Sequence, residues 1–310
     1  MKALSRFFAL VFLTVLLYVI YGEVAGRYFF KVAFEPADKV AAQAALSALG
    51  RGTVSETEAL YGMQHVYVAS DSLRLHGYYM RNASDSARTV LLLHGYKDNA
   101  LGMMSYVDRY LAAGYHVLLP DLRAHGLSEG DLVGFGWNDR QDVYRWIDWL
   151  IKRDSATRIV LHGLSMGAAA VMMVSDSLPE MVVACVEDAG YTSVYDEFDF
   201  QIRNIRPHSY AVLKEYVLRQ AGRRAKRLAG FDFREASALD KVKKASIPML
   251  FVHGDADDYV PFDMVLQLYN AKKGAKDLLV IQGAGHFNLL NRDSALYARR
   301  WSEFLARYVP

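Results

Sequence analysis

Short apolar runs alternate with longer amphipathic segments along most of this chain. The runs are residues 89–93, 115–119, 158–162, 181–186, 248–253 and 278–281. They have the length and composition of buried strands, whereas segment 139–153 places its apolar residues at helical spacing. Alternating strands and helices predict a mostly parallel central sheet with helices on both faces, the α/β class. An antiparallel strand pair, 64–68 and 73–80, is predicted ahead of this sheet because the two segments flank a polar turn.

The N-terminal segment is apolar on every side of a predicted helix. Between Phe7 and Tyr21 only Thr14 is polar, and cations lie on both sides of this stretch. With its flanks it reaches the roughly 20 residues that span a bilayer, so 1–26 is predicted to be a transmembrane helix that anchors the chain in a membrane. A cleaved signal sequence is the alternative, although Val24-Ala25-Gly26 is a poor cleavage site. Both interpretations place the folded domain on the extracytoplasmic side, anchored in the first and secreted in the second.

The rest of the chain divides into a predicted linker and one large domain. Residues 27–60 are predicted to be a linker with a helix at 37–49, which glycines end. Residues 61–310 are long enough for a single core. Lysine and arginine number 36 against 34 aspartates and glutamates, so no bulk charge favours a nucleic-acid partner. The only cysteine, Cys185, lies in an apolar run, which predicts a buried residue rather than a nucleophile or a metal ligand.

The motif Gly163-Leu164-Ser165-Met166-Gly167 carries the strongest chemical signal. A predicted strand precedes it and an apolar helix, 168–174, follows it, so Ser165 is expected at the apex of a tight turn between the two. Glycine is required on both sides because a side chain there would collide with neighbouring backbone. Such a turn lifts the serine hydroxyl out of the sheet and points the helix N-terminus at it. We therefore predict that Ser165 is a catalytic nucleophile.

A serine nucleophile needs a base, and the base needs a carboxylate to orient it. One apolar run is followed by Asp255, Asp257 and Asp258, and the last run is followed by His286. In an open parallel sheet, active sites form where the carboxyl ends of the strands meet. Ser165, the aspartates and His286 all follow such ends, in the chain order serine, acid, histidine. The spacing alone leaves the three aspartates as alternatives.

These motifs resemble the α/β-hydrolase superfamily, in the branch of serine aminopeptidases, monoacylglycerol lipases and small bacterial carboxylesterases. The resemblance covers roughly residues 65–308 and rests on the serine turn together with 92–96, 121–128, 253–261 and Gly285-His286. It implies an α/β-hydrolase fold with a small helical lid, here about 191–245, between the sixth and seventh strands. In this family the acid is usually the aspartate of a His-Gly-x-x-Asp-x-x-Val-Pro run. That position is Asp257.

The same resemblance implies an oxyanion hole, which needs two backbone N–H donors. One is the amide of Met166, directly after the nucleophile. The other is the amide of Tyr96, in the loop after the first parallel strand. A neighbouring loop contains Arg123 and His125, which in this family brace the backbone rather than react.

The resulting expectation is a serine hydrolase that cleaves carboxylic esters, of lipids or other small acyl compounds, through an acyl-enzyme. Ser165 attacks, His286 moves the proton and Asp257 orients the histidine, so neither a metal nor an organic cofactor is required. Amide hydrolysis and acyl transfer are alternatives on the same residues. An aminopeptidase would use a carboxylate such as Glu187 or Asp188 to hold the substrate amine. The non-enzymatic alternative is a catalytically silent binding protein with a hydrolase fold.

A basic segment of the expected lid, 214–227, has two interpretations. Its lysines and arginines fit a solvated helix face. They also fit contact with anionic lipid headgroups beside the anchor, because such clusters bind acidic membrane surfaces.

Overall fold

An eight-stranded sheet lies at the centre of the structure, a computed structural model that describes residues 2–35, 41–84, 86–205 and 211–310. The strands are β1 (Gln64–Ser70), β2 (Leu73–Met80), β3 (Arg88–Leu93), β4 (His116–Pro120), β5 (Arg158–Leu164), β6 (Val182–Asp188), β7 (Met249–Gly254) and β8 (Lys276–Ile281). Their order is β1-β2-β4-β3-β5-β6-β7-β8. Only the pairs β1–β2 and β2–β4 are antiparallel. The predicted parallel sheet and the antiparallel strand pair ahead of it are confirmed.

Helices cover both faces of this sheet. They are α1 (Lys2–Phe34), α2 (Ala42–Ala48), α3 (Val54–Tyr61), α4 (Met104–Ala112) after a 3₁₀ turn (Ala100–Met103), α5 (Asp139–Arg153), α6 (Met166–Val174), α7 (Val194–Ile205), α8 (Ala211–Leu228), α9 (Ala238–Val242), α10 (Phe262–Ala271), α11 (Leu289–Arg292) and α12 (Ser294–Tyr308). Side chains alternate across β3, where Leu91 and Leu93 join one buried apolar cluster and Val90 and Leu92 join another. Helices α7 to α9 lie between β6 and β7, where the lid was expected.

Helix α1 is the one helix in the described ranges with the length and composition to cross a membrane. From residue 4 to 21 every side chain is exposed except that of Tyr18, which is half-buried. An apolar helix exposed in this way is unstable in water, because it leaves a large apolar surface in contact with solvent. Its exposure fits either a membrane-spanning helix or a signal sequence.

The structure differs from the predicted division of the chain at residue 26. Helix α1 continues to Phe34, where a linker was expected. Phe30 and Phe34 are fully buried, and the Phe34 ring lies 4.7 Å from that of Phe135 in the large domain. Burying two phenylalanines stabilises this arrangement by several kcal/mol, on the order of 1.5–3 kcal/mol for each. The last turns of α1 are therefore packed into the folded domain.

Among the described residues of the remaining linker, two short helices are also present. The predicted helix at 37–49 begins outside the described residues, and its observed part, α2, buries Leu46 completely. A second short helix, α3, was not predicted. It begins at a capping box in which Thr53 accepts from the Glu56 N–H and Glu56 accepts from the Thr53 N–H.

Candidate active site

Ser165 lies in the turn between β5 and α6, in a strained backbone conformation with φ of 55° and ψ of −115°. A Cβ added at Gly163 would lie 2.2 Å from the carbonyl carbon of Gly167, and one at Gly167 would lie 2.2 Å from Leu93 O. Both positions therefore require glycine, as the motif predicts. Positive φ at a non-glycine residue costs on the order of 1–3 kcal/mol and is concentrated at functional sites.

Ser165, His286 and Asp257 form one hydrogen-bonded chain at the carboxyl ends of β5, β8 and β7. His286 Nε2 lies 2.9 Å from Ser165 Oγ, and His286 Nδ1 lies 2.8 Å from Asp257 Oδ2. The carboxylate can only accept, so the Nδ1–H tautomer of His286 fits, and its Nε2 lone pair accepts the serine O–H. A hydroxyl paired with such a base is activated for attack on an electrophile.

The Asp257 carboxylate is held by several donors. Its Oδ1 accepts from the N–H groups of Tyr259 and Val260, both at 2.9 Å. Burial alone would raise the pKa of Asp257, but hydrogen bonds from His253, His286 and the Val260 N–H outweigh burial and hold the pKa well below its ordinary value. Asp257 therefore stays ionised and is able to stabilise a charged imidazolium. The contact with His253 was not predicted; its sequence signal is a histidine at the end of β7.

The other two aspartates of this loop point elsewhere. Asp255 is exposed, and its Oδ1 accepts from the Gly283 N–H at 2.6 Å. Asp258 is also exposed, and its backbone carbonyl accepts from Asn204 Nδ2 at 3.4 Å. Of the three aspartates, Asp257 is the buried one and the one that contacts His286.

The segments that carry the two expected oxyanion donors lie beside Ser165. Met166 begins α6, so its N–H is among the amides that a helix leaves without an internal partner. On the other side, a Cβ added at Gly95 would lie 3.5 Å from Ser165 Cβ, which places the loop before Tyr96 directly beside the serine. His94 fixes this loop, since its Nδ1 donates to Gly95 O at 2.7 Å.

Arg123 and His125 brace the neighbouring backbone. Arg123 binds Asp142 through two hydrogen bonds of 2.7 Å each. His125 Nε2 accepts from the Lys97 N–H at 3.3 Å, and its Nδ1 donates to Arg123 O at 2.9 Å. His125 thus supports the loop that contains Tyr96, whereas Arg123 ties its own loop to Asp142 of α5.

Helix α7 of the lid lies against the loop that holds Asp257. Gln201 Nε2 donates to Tyr259 O and to Glu197 Oε1, both at 2.8 Å, and the Tyr259 ring lies 4.9 Å from that of His286. Burial raises the pKa of Glu197 to about 8; the bond from Gln201 lowers it, and the charge of Asp257 raises it further. Glu197 was not singled out in the sequence, because a glutamate on an amphipathic helix predicts an exposed residue.

Glu187 and Asp188, the expected alternatives for holding a substrate amine, are both fully buried. Asp188 Oδ2 accepts from the hydroxyls of Tyr106 at 2.9 Å and Tyr297 at 2.7 Å. Burial raises the pKa of Glu187 well above its ordinary value, against the opposing effect of a hydrogen bond from Gly190 N–H. We therefore interpret both carboxyls as structural, since they are buried in the interior of the domain.

Cys185 is a buried free cysteine, as its apolar context predicts, and burial raises the pKa of its thiol. Within the described ranges, histidine, cysteine, aspartate and glutamate side chains form no group of three that is arranged to hold a metal ion.

A sequence model described as the alpha/beta hydrolase family matches residues 90–300, about two thirds of the chain. The chain belongs to this family. Curated relatives of this α/β-hydrolase are distant. An uncharacterized Bacillus subtilis protein, YqkD, is 26% identical over 226 residues, which cover 71% of this chain and 72% of that protein. A thermostable monoacylglycerol lipase of Bacillus sp. is 23% identical over 241 residues, which cover 71% of this chain and 91% of the lipase.

Solved structures share the fold of this α/β-hydrolase. The Pyrococcus furiosus esterase Pf2001 superimposes with a TM-score of 0.67 and 22% identity, over 84% of this chain and 96% of the esterase. Est1E of Butyrivibrio proteoclasticus, solved with ferulic acid bound, gives a TM-score of 0.60 and 19% identity, over 79% of this chain and 99% of Est1E. The predicted α/β-hydrolase fold is confirmed.

Proposed function

We propose that this α/β-hydrolase is a serine hydrolase that cleaves carboxylic esters. The observation that carries the proposal is the hydrogen-bonded chain from Ser165 through His286 to Asp257, with the serine in a strained turn. The names of the relatives support an ester substrate, since they include a monoacylglycerol lipase and an esterase. Buried Glu187 and Asp188 argue against the aminopeptidase alternative, because neither carboxyl is exposed to a substrate amine.

The proposed reaction has two halves. Ser165 Oγ attacks the ester carbonyl carbon while His286 Nε2 takes its proton, and the Asp257 carboxylate stabilises the imidazolium. The Met166 and Tyr96 N–H groups bind the oxyanion of the tetrahedral intermediate. His286 then protonates the leaving alkoxide, and the acyl group remains on Ser165. In the second half, water attacks the acyl-enzyme by the same proton transfers and the acid product leaves.

We also propose that the first half of α1 spans a membrane and keeps the catalytic domain on its extracytoplasmic side. The exposed apolar residues 4–21 support this assignment. Lid helix α8 begins beside this segment, since Tyr18 Oη donates to Val212 O at 3.1 Å. Exposed Arg219 and Arg223 follow along α8, at the depth where lipid headgroups would lie if residues 4–21 span the bilayer.

The proposed activity is tested with a fluorophosphonate probe, which reacts with activated serines. We expect wild-type protein to be labelled, Ser165→Ala to be unlabelled but folded, and Ser175→Ala to behave like wild type. Ser175 is the matched control, because it is a buried serine at the other end of α6. Labelling of Ser165→Ala would identify another nucleophile. Unlabelled wild-type protein would favour the silent binding protein.

Substrate class is tested on wild-type protein that has not been treated with the probe. We expect hydrolysis of p-nitrophenyl esters, profiled across acyl chains of increasing length, to exceed hydrolysis of aminoacyl-anilides. Faster turnover of the anilides would contradict an esterase and support the aminopeptidase alternative.

A further inference from the structure

The side chain of Tyr96 connects the N-terminal helix to the loop of the proposed oxyanion hole. Its hydroxyl donates to Ala33 O at 2.8 Å and to Val32 O at 3.3 Å. These carbonyls belong to the last turn of α1, where a helix provides no internal partners for them. The next carbonyl, Phe34 O, accepts from the Val133 N–H at 2.9 Å. The phenol of Tyr96 is therefore part of the C-terminal cap of α1.

The end of α1 is a fixed point in the structure. Phe34 is fully buried, and its ring lies 4.5 Å from Phe30, 4.7 Å from Phe135 and 5.9 Å from Phe233. These rings belong to α1, to the segment before α5 and to the segment after α8. A helix end packed on two other segments moves only if both of them move.

Helix α1 is also packed closely against lid helix α8. A Cβ added at Gly26 would lie 2.7 Å from Gln220 Cβ, and one at Gly22 would overlap the ring of Tyr216. Small residues four apart let two helices approach closely, as they do in membrane helix pairs. The position of α1 is therefore fixed by the lid as well as by the core.

The loop beside Tyr96 contains a residue in a strained backbone conformation, which its surroundings must hold in place. Lys97, the next residue, has a positive φ of 55° although it is not glycine. Such a conformation persists only where the surroundings over-determine it. The surroundings here are the bond from His94 to Gly95 O, the bond from Lys97 N–H to His125, and the Tyr96 phenol on α1. Burial raises the pKa of Tyr96, so the phenol stays neutral and able to donate.

We propose that Tyr96 is a positioning residue through which α1 holds the oxyanion loop in its reactive conformation. The phenol donates a hydrogen bond to α1, and the backbone N–H of the same residue is directed at the developing oxyanion. Helix α1 thereby contributes to the rate of the chemical step in addition to anchoring the chain. This inference rests on the proposed serine hydrolase function.

The test uses the full chain in detergent or nanodiscs with the variant Tyr96→Phe. We expect kcat for a short p-nitrophenyl ester to fall about 10- to 100-fold with KM nearly unchanged, because the loss falls on transition-state stabilisation. The inhibition constant of an alkyl trifluoromethyl ketone should rise by a similar factor. Ser165 Oγ adds to this ketone and His286 takes the proton, so the oxyanion of the tetrahedral adduct occupies the same hole. If the phenol had only a structural role, kcat and the inhibition constant would not change by similar factors.

The matched control is Tyr195→Phe, which removes the hydrogen bond of a different phenol, on lid helix α7, to Glu215 Oε2 at 2.5 Å. We expect it to leave kcat and the inhibition constant unchanged. A second variant, Phe34→Leu, loosens the end of α1 while it keeps most of the apolar volume. If the phenol acts through α1, the double variant should be about as slow as the slower single variant, since the two changes remove one interaction.

The outcomes separate the inference from the proposed function. If Tyr96→Phe has the same kcat and inhibition constant as the wild-type protein, the positioning role is overturned. Additive losses in the double variant overturn the route through α1. Wild-type protein that shows no Ser165-dependent turnover overturns the proposed function itself, and the positioning role with it.

Discussion

His253 Nε2 lies 3.2 Å from Asp257 Oδ2, the same carboxylate oxygen that His286 contacts at 2.8 Å. His253 Nε2 also lies 2.9 Å from Val260 O, to which it donates. A second, fully buried histidine thus ties the end of β7 to the loop that carries the proposed catalytic acid. Its contact helps to keep Asp257 ionised and in place for His286.

We expect His253→Phe to lower kcat about 10-fold and to destabilise the fold by about 1–3 kcal/mol at pH 7, because Val260 O and Asp257 lose a buried donor. The folded-state pKa of Asp257 lies below its unfolded value. Its stabilisation is therefore present above about pH 4 and is lost as the pH falls toward the folded-state pKa. Urea unfolding should show the defect of the variant shrinking below about pH 4.

The control for this prediction is His253→Gln, which keeps an N–H donor near the position of Nε2. It should lose less activity and less stability than His253→Phe. Equal effects of the two variants would mean that shape, and not the hydrogen bond, is what His253 supplies.

Substitutions in the aspartate loop test the choice of acid. Asp257→Asn should lower kcat by about 10³- to 10⁴-fold, because an asparagine N–H facing Nδ1 favours the wrong tautomer of His286. Asp255→Asn and Asp258→Asn are the internal controls, since both carboxylates are exposed. We expect each to keep kcat within a few-fold of wild type in the p-nitrophenyl ester assay. A crippling effect of Asp255→Asn would reassign the acid.

Glu197 should make the protein less stable as the pH rises. Its pKa of about 8 means that the fold holds a proton which the unfolded chain releases near pH 4.5. The free energy of unfolding should therefore fall between about pH 5 and pH 8, by on the order of 4 kcal/mol, and then level off. Thermal melts across this range measure the loss.

Glu197→Gln should remove most of that decline, because the amide stays neutral at every pH. The variant should melt higher than wild type at pH 9 and close to it at pH 5. Glu180→Gln, at an exposed position, is the control and should follow the wild-type curve. A wild-type curve that stays flat from pH 5 to pH 9 would contradict the raised pKa.

The full chain should fractionate with membranes and remain there in alkaline carbonate, because the apolar side chains at 4–21 are exposed. N-terminal sequencing of the mature protein checks this directly. A start near Arg27 would show a cleaved signal sequence and refute the anchor.

Two truncated chains separate anchoring from catalysis. One that begins at Arg27 keeps Ala33 and Phe34, so we expect it to be soluble and active. One that begins at Ala41 lacks the partners of Tyr96 and should lose most of its ester hydrolysis. If the first chain still binds anionic vesicles, raised salt should release it, because screening weakens attraction between arginines such as Arg219 and headgroups. Equal activity of the two chains would show that the end of α1 is dispensable.

Local sequence determined the elements and the immediate surroundings of the nucleophile. The turn at Ser165 was predictable because Gly163 and Gly167 are required by contacts within a few residues of the serine and with the adjacent strand. The sheet was predictable because apolar runs and helical spacing recur at regular intervals. The sequence also predicted that Ser165, the aspartate loop and His286 lie close together, because the carboxyl ends of parallel strands share one edge of a sheet.

Tertiary structure alone decided which groups meet across long separations. Tyr96 bonds to Ala33, and Gly26 packs against Gln220, because distant segments come together. The periodic pattern within a segment does not predict which other segment it will contact. Phe34 falls in the linker that the sequence predicts, yet it is buried in the core. The choice of Asp257 rested on the family resemblance, and in the structure it depends on which carboxylate the folded loop buries beside His286. Burial and hydrogen bonding, which set the pKa of Asp257 and Glu197, exist only once those segments have come together.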